Sequence, residues 1–509
     1  MGAESATTSM IKIDPAFTVG PLNRRLFGSF VEHLGRCVYT GIYEPDHPTA
    51  DPAGFRGDVA ELITELGPTI IRYPGGNFVS AYDWRDGIGP KDQRPVRYDL
   101  AWNTVETNQV GTDEFLQWAE RLGLEPMLAV NLGTAGVKEA VELLGYVNAG
   151  PGLSLSDERG RNGRAEPYGV KVWCLGNEMD GPWQIGFKTP EEYGRLAAET
   201  ARAMKRFADD RSELTGPPVE LVACGSSNRG MPTFGRWERI VLEHCFDLVE
   251  HISAHVYYEP TGGDLQSFLA SAEDMNRFIN GVVATADHVA ATRRSEKKIT
   301  ISFDEWNVWF AERNAGKDPA EAEEVYDVTE AVVVGSLMIE LIRHTDRVAV
   351  ACQAQLVNLL APILTRPGGP AWRQTIFHPF ALTSRHAGPV VLAEAADGPM
   401  IGTDRYGEVA QLHSVTTHDP DTGAVVIFAV NRGIDSAVGL RAELSGFGGD
   451  GWRVVEHLMI GDDDPHARNT EQQPDRVVPV AGGARIADGR VLAELPPISW
   501  HCIRLAPAG

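Results

Sequence analysis

The sequence predicts an α/β protein, a (β/α)8 TIM barrel with a second, all-β sandwich domain of jelly-roll-like type. Three observations predict it. Eight strand-like apolar runs recur, separated by helical patterns, over more than half of the chain. Each run ends in polar residues suited to chemistry, at the end of the strand where a parallel barrel places its active site. Past about His386 the helical periodicity gives way to short β-runs punctuated by Gly, Asp and Pro. The 509 residues suffice for two domains, with the barrel expected at 21–385 and the sandwich at 1–20 plus 386–509.

In chain order the barrel runs are Leu26 to Phe30, Thr69 to Tyr73, Glu125 to Asn131, Val170 to Leu175, Val219 to Cys224, Ile252 to Tyr257, Ile299 to Phe303 and Val348 to Gln353. Helical periodicity lies between them at Asp58 to Leu66, Asp113 to Leu122, Glu191 to Phe207, Arg236 to Val249 and Thr329 to His344. Leu-Gly-Pro-Thr and Gly-Leu-Glu-Pro supply the helix stops. An open doubly wound sheet is the competitor, and no Gly-x-Gly-x-x-Gly follows the first run to support it.

The strand ends carry Glu32-His33, Arg72 to Asn77, Asn131, Asn177-Glu178, Ser226-Ser227-Asn228, His255 to Tyr258, Glu305 and Gln355. Val390 to Leu392, Val409 to His413, Val425 to Val430, Val438 to Leu444, Trp452 to His457 and Ile498 to Leu505 then read as strands of an antiparallel sandwich, with turns at Gly446 to Gly451 and Gly461 to Pro465. The early run Ile11 to Asp14 precedes the barrel and is expected to join that sandwich.

A net charge of −24 and a pI near 5.0 point away from nucleic acid and anionic membranes, and leave a neutral substrate indifferent. The amino terminus shows no basic segment followed by an apolar run, Ala6 denies a myristoylation signal, and Ala331 to Ile342 is too short to span a bilayer, so a cytoplasmic location is expected. Six cysteines without a Cys-x-x-Cys pair read as reduced, buried thiols.

The chemistry concentrates at Glu178 and Glu305, two carboxylates at the mouths of runs four and seven. Retaining glycoside hydrolysis needs one ionised nucleophile and one protonated donor about 5 Å apart. Two like charges at that separation push one pKa up, so one group keeps its proton, and esterification of the other then frees the first to act as base. Neither metal nor cofactor is needed. Strand alternation puts Glu305 on the face of Ile299, Ile301 and Phe303, and Asp304 on the opposite one.

Gly28 to Arg36, Tyr39 to Tyr43, Arg72 to Phe78, Trp173 to Gln184 and Asp304 to Trp309 together resemble glycoside hydrolase family 51 α-L-arabinofuranosidases, and the likeness runs through nearly the whole chain. The resemblance implies exo-acting, retaining release of terminal α-L-arabinofuranosyl residues from arabinan- or arabinoxylan-derived oligosaccharides, without cofactor or metal, by a chain that is commonly a homohexamer. It makes Glu178 the acid/base and Glu305 the nucleophile. It also places Glu32, Arg72, Asn77, Asn177, His255, Tyr257 and Gln355 around the sugar, with Trp102 and Trp309 as aromatic walls.

Plainer readings stand beside these. His251 and His255 are separated by about 13 Å along a strand, too far to share a zinc ion. Gly225-Ser226-Ser227-Asn228 lacks the closing glycine of a serine elbow. Glu32 reads equally as a structural partner of Arg72, Trp452 and Trp500 read as structural, and the acidic loop Asp318 to Glu324 reads as solvated surface. A catalytically dead carbohydrate-binding barrel, or a retaining barrel glycosidase for xylosides or β-glucans, are the alternatives.

Overall fold

Eight parallel strands close into a barrel in the computed structural model, which describes residues 7–208, 214–314, 316–317, 322–447 and 451–508. The strands are Gly28–Phe30, Ile70–Tyr73, Glu125–Ala129, Val172–Leu175, Glu220–Ala223, His251–Tyr258, Thr300–Val308 and Val348–Gln353, each paired in parallel with the next and the eighth with the first. All eight overlap the predicted runs, the seventh continuing past Phe303 to Val308, because each is a short, mostly apolar stretch bounded by polar or turn-forming residues.

One face of the strands fills the barrel with Phe30, Ile70, Met127, Val172, Val222 and Val350. The other, with Ile71, Leu128, Trp173, Leu221, Ile252 and Phe303, packs on the surrounding helices. The five predicted helices are present as Gly57–Leu66, Thr112–Arg121, Pro190–Phe207, Arg236–Cys245 and Val328–Arg343. The fourth stops four residues before the predicted end (249 minus 245), in a turn before the next strand. Helices Val137–Asn148, Ser154–Arg161, Ala272–Arg293 and Phe377–His386 complete the shell.

A ten-stranded sheet forms the second unit, in the order Val480–Ala481, Trp452–Ile460, Ser499–Pro507, Val425–Asn431, Leu412–His418, Val390–Asp397, Thr8–Pro21, Val438–Glu443, Arg490–Leu495, Arg485–Ala487. Ile427 and Ile503 from one half share a core with Leu440, Val491 and Leu495 from the other, so the sheet folds over on itself. The strand Thr8–Pro21 pairs antiparallel with Val390–Asp397 but parallel with Val438–Glu443. Arriving from far away in sequence, it is free of any hairpin that would impose one direction.

The helix Val328–Arg343 is buried along nearly its whole length between barrel and sheet. Gly335 within it has a packing cause, since a Cβ there would lie 2.2 Å from Cδ1 of Trp500 on the sheet. Ser336 Oγ lies 2.8 Å from Nδ1 of His413, whose Nε2 is 3.0 Å from Glu340, and this tie across the two units is fully buried. No helix among the described residues is long and apolar enough to cross a membrane.

The acidic loop departs from expectation. Residues 318–321 lie outside the described residues, but Glu323 pairs with Arg36 at 2.7 Å and Glu324 is buried, bonded to Phe310 N–H, Arg313 and Asn314. These carboxylates have found donors and tie the loop down. Residues 1–6, which bear on the expected lack of a secretory signal, and 448–450 of the predicted 446–451 turn also lie outside the described residues.

Candidate active site

Side chains from six strand ends converge above the barrel. Glu305, at the mouth of strand seven, accepts a hydrogen bond from Arg72 Nη1 at 2.6 Å through Oε1 and from the Tyr257 hydroxyl at 2.9 Å through Oε2. Arg72 Nη2 donates to Asn177 Oδ1 at 2.7 Å, and Asn177 Nδ2 reaches Asn77 Oδ1 at 3.4 Å. Burial alone would make the Arg72 guanidinium easier to deprotonate, but Asp304 and Glu305 reverse that and hold it charged.

Glu178 stands opposite. Its Oε1 accepts from His255 Nδ1 at 2.9 Å and its Oε2 from the Trp183 indole N–H at 2.7 Å. The residue has φ +44°, in the left-handed region, and follows Gly176 at φ +94°. A non-glycine residue there costs on the order of 1–2 kcal/mol, and the two hydrogen bonds hold the turn that aims the carboxylate inward. A carboxylate oxygen of Glu178, a ring nitrogen of His255 and a carboxylate oxygen of Glu305 all lie within 4.8 Å of one another.

That trio has metal-site spacing but the wrong chemistry. His255 Nδ1 faces Glu178 and its Nε2 faces Asp304 Oδ1, each at 2.9 Å. Burial would lower its pKa, yet Glu305, Asp304 and Glu178 together raise it to about 10. Both nitrogens are therefore donors, with no lone pair left for an ion. His251, at the other end of the same strand, bonds Thr300 and Glu220, so the two histidines share nothing.

The strand-parity expectation holds for Asp304, which lies opposite Phe303, and fails at Glu305, which does not share the face of Ile301 and Phe303. Ile301 and Phe303 face outward to the helices, Phe303 against Phe278, so simple alternation points Asp304 and not Glu305 inward. The ladder to strand six slips between Ser302 and Glu305, and that to strand eight between Phe303 and Trp306. This bulge turns two successive carboxylates into the site. Asp304 is 0% exposed, 3.8 Å from Arg72 Nε, and accepts from His255 and, at 3.5 Å, from the Cys174 thiol. Burial opposes its ionisation, but Arg72 and His255 outweigh this and hold its pKa below the usual value.

Glu32 accepts from Phe78 N–H at 3.0 Å, Trp102 Nε1 at 3.1 Å and Gln355 Nε2 at 3.2 Å. Arg72 bonds Glu305 and Asn177 instead of Glu32, so the salt-bridge reading of Glu32 does not hold. Burial, reinforced by the charge of Glu305, pushes its pKa up to about 8. Trp102 is carried by a hairpin, Arg97–Tyr98 with Val105–Glu106, whose Glu106 bonds His33 Nδ1 at 2.8 Å. Trp309 is 36% exposed, its ring 5.5 Å from that of Tyr257 and nearly perpendicular to it.

Glu32, Arg72, Asn77, Asn177, Glu178, His255, Tyr257, Glu305 and Gln355 lie in this cluster, with Trp102 and Trp309 beside it. Asn131 and Ser227, also at strand ends, instead serve loops, Asn131 through Gly133 and Thr134 N–H and Ser227 through Asp180. Sequence reasoning passed over Asp304, Trp183 and Gly76. Gly76 is needed because a Cβ there would lie 2.8 Å from Glu305 Oε1. Trp183 was signalled by its loop position five residues after Glu178, and it is 48% exposed.

Two family models match the chain, one described as Alpha-L-arabinofuranosidase 1 domain over residues 62–277 and one as Alpha-L-arabinofuranosidase C-terminal domain over 304–499. The chain is 54% identical to an intracellular exo-α-(1→5)-L-arabinofuranosidase of Streptomyces lividans, over 98% of this chain and 75% of that protein. It is 49% identical to an exo-α-(1→6)-L-arabinofuranosidase of Bifidobacterium longum, over 98% and 97%. Among solved structures, AbfB, a family 51 α-L-arabinofuranosidase from Bifidobacterium longum, superimposes with a TM-score of 0.93 at 45% identity, covering 98% of this chain and all of that one. With identity of this degree along almost its whole length, and with two carboxylates facing each other over a barrel mouth, the chain belongs to the glycoside hydrolase family 51 α-L-arabinofuranosidases.

Proposed function

We propose that the chain is a retaining, exo-acting α-L-arabinofuranosidase that removes terminal α-L-arabinofuranosyl residues from arabinan- or arabinoxylan-derived oligosaccharides, with Glu305 as nucleophile and Glu178 as acid/base. The observation that carries this reading is the separation of the two carboxylates. Oxygens within 4.8 Å of one another fit direct attack on the sugar, whereas an inverting pair must leave a gap of about 6.5–9.5 Å for water.

The asymmetry of their surroundings assigns the roles. Glu305 is held by Arg72 and Tyr257, an arrangement that stabilises an anion and fixes its direction of attack. Glu178 is held at the rim of the site beside the exposed Trp183, where a leaving group would depart. Attack by Glu305 on the anomeric carbon breaks the glycosidic bond while Glu178 gives its proton to the departing oxygen. Glu178, now ionised, then takes a proton from water, and that water releases the sugar from Glu305.

Glu32, Asn77, Asn177, Tyr257 and Gln355 are placed to bond the sugar hydroxyls, and Trp102 and Trp309 to flank the ring, while His255, both nitrogens engaged, holds the catalytic carboxylates. Glu178 and Glu305 are only 9% and 6% exposed, which favours a pocket for one terminal sugar over an open groove. The intracellular relative supports a cytoplasmic place, and a homohexamer is part of the proposal, to be checked by analytical ultracentrifugation.

The test is a pair of substitutions. Glu178→Ala should still attack a dinitrophenyl α-L-arabinofuranoside, whose leaving group needs no proton, and then stall until azide replaces water. Glu305→Ala should lose both steps, by roughly 10⁴-fold or more. Equal loss in the two variants, with no azide effect in either, would refute the assignment.

A further inference from the structure

We infer that Asp304 is a positioning residue that keeps His255 a cation, so that His255 is the counter-ion handed from Glu305 to Glu178 as the reaction passes from its first half to its second. The inference rests on the roles proposed above for the two glutamates. Geometry carries it. His255 Nδ1 is 2.9 Å from Glu178 Oε1 and 3.8 Å from Glu305 Oε1, while its Nε2 is committed to Asp304 Oδ1 at 2.9 Å.

Charge counting shows what this accomplishes. The groups facing one another here are Arg72 from strand two, Glu178 after strand four, His255 and Tyr257 on strand six, and Asp304 and Glu305 on strand seven. The Cys174, Cys224 and Cys352 thiols approach Asp304 from strands four, five and eight, and burial pushes all three up into the neutral form. Glu32 stands beside Glu305, and burial favours its proton.

Before reaction two cations, Arg72 and His255, balance two anions, Asp304 and Glu305, while Glu178 holds the proton it will donate. In the glycosyl-enzyme Glu305 is an uncharged ester and Glu178 has become the anion. The total is unchanged, and the negative charge has crossed from one side of His255 to the other. A neutral imidazole could not follow it. Asp304, buried and paired with Arg72, makes neutrality of His255 costly in both halves.

Asp304→Asn retains an acceptor for Nε2 but removes the charge. The expected defect appears wherever Glu178 must be or become anionic. Hydrolysis of an unactivated arabinofuranosyl disaccharide should lose about 10- to 100-fold in kcat/KM, whereas kcat/KM for the dinitrophenyl arabinofuranoside should stay within about threefold. With the activated substrate, kcat should fall and azide should restore it, and the acid limb of kcat against pH should move upward.

A merely structural role, acting by displacing Arg72 or Glu305, would depress kcat/KM for both substrates alike, without azide rescue or a shifted limb. That result, or an unaffected enzyme, overturns the inference. Should Asp304→Asn not fold, the ring-nitrogen NMR shifts of His255 in the parent supply the test: an imidazolium at pH 7 is expected, and a neutral ring overturns the inference. Glu178→Ala is measured alongside: lack of azide rescue in that variant condemns the acid/base assignment, whereas rescue there but not in Asp304→Asn condemns this inference alone.

Discussion

A methyl group at position 76 should disable the nucleophile without unfolding the protein. The Cβ of Gly76→Ala would lie 2.8 Å from Glu305 Oε1 and 3.4 Å from Asn177 Nδ2, and real Cβ contacts below 3.0 Å are essentially unknown. The oxygen must therefore retreat by roughly 0.3–0.5 Å, a distance at which active-site constellations lose productive geometry. Arg72, 2.6 Å from that same oxygen, cannot hold its bond to both Glu305 and Asn177 while the pair separates. Displacement of a reacting group by about 1 Å costs about 100-fold, so this partial shift should cost about 10- to 100-fold, or about 1.4–2.7 kcal/mol of transition-state stabilisation. The loss should fall on kcat/KM for the dinitrophenyl arabinofuranoside, since attack itself is impaired, and azide should not relieve it. Steady-state kinetics beside a thermal melt makes the check. A variant with the parent's kcat/KM, or one whose only change is a lowered melting temperature, would refute the argument that Gly76 makes room for Glu305.

Two further outcomes concern protons. Glu32 binds its proton more tightly in the folded chain, with a pKa near 8, than an unfolded glutamate does, so its contribution to stability is complete below about pH 4.5 and is lost as pH rises toward 8. Glu32→Gln keeps the shape without the charge, and its stability relative to the parent should rise steadily between pH 5 and 9, by on the order of a few kcal/mol, read from denaturant unfolding at each pH; a pH-independent difference would exclude this. In the sheet, Ala484 N–H donates to His457 Nδ1, His457 Nε2–H to His501 Nδ1, and His501 Nε2–H to Ser499 Oγ, at 3.0, 3.0 and 2.7 Å. The chain has room for no further proton, and burial lowers His457 to about 4 and holds His501 well below the usual value. Stability should therefore be lost as pH falls from about 6.5 toward 4, by on the order of 2–3 kcal/mol for His457. His457→Gln should flatten that slope in differential scanning fluorimetry, and an unchanged slope counts against the relay.

The barrel was legible because its eight strands are short, apolar and bounded, and because polar residues at strand ends have few packing reasons to be there. Glu178 and Glu305 stood out for that reason, as did Arg72 and Tyr257. The helix Ala272–Arg293 was missed since its Ala, Asp and Asn content gives weak contrast between faces. Val137–Asn148 and Phe377–His386 escaped for a different reason, being largely buried on more than one side, so their apolar residues follow no single stripe. That Glu305 turns inward beside Asp304 was illegible in principle from alternation, which assumes one residue per pleat, whereas the bulge inserts an extra one. Trp183 could have been found, since an exposed-type loop and a catalytic candidate five residues earlier were both in view. Its bond to Glu178 depends on the left-handed turn at that residue, which nothing in the local pattern announces.

The failures at the site, unlike the missed helices, share a location, and their clustering has a physical reason. A strand that alternates faithfully offers the barrel mouth one side chain per two residues, too few for a site that must set two anions beside one another and neutralise both. The bulge in strand seven, the left-handed Glu178 and the methyl-free Gly76 each break a local rule to bring another charge or donor within about 4 Å of the reacting atoms. Each is unfavourable taken alone. Together they are tolerable because the charges they gather cancel, Arg72 and His255 against Asp304 and Glu305, inside a barrel whose eight strands and enclosing helices are rigid enough to hold them there. A variant that removes one charge but keeps its volume should accordingly harm catalysis far more than stability, and one that removes a packing residue beneath the site, such as Phe303, should do the reverse.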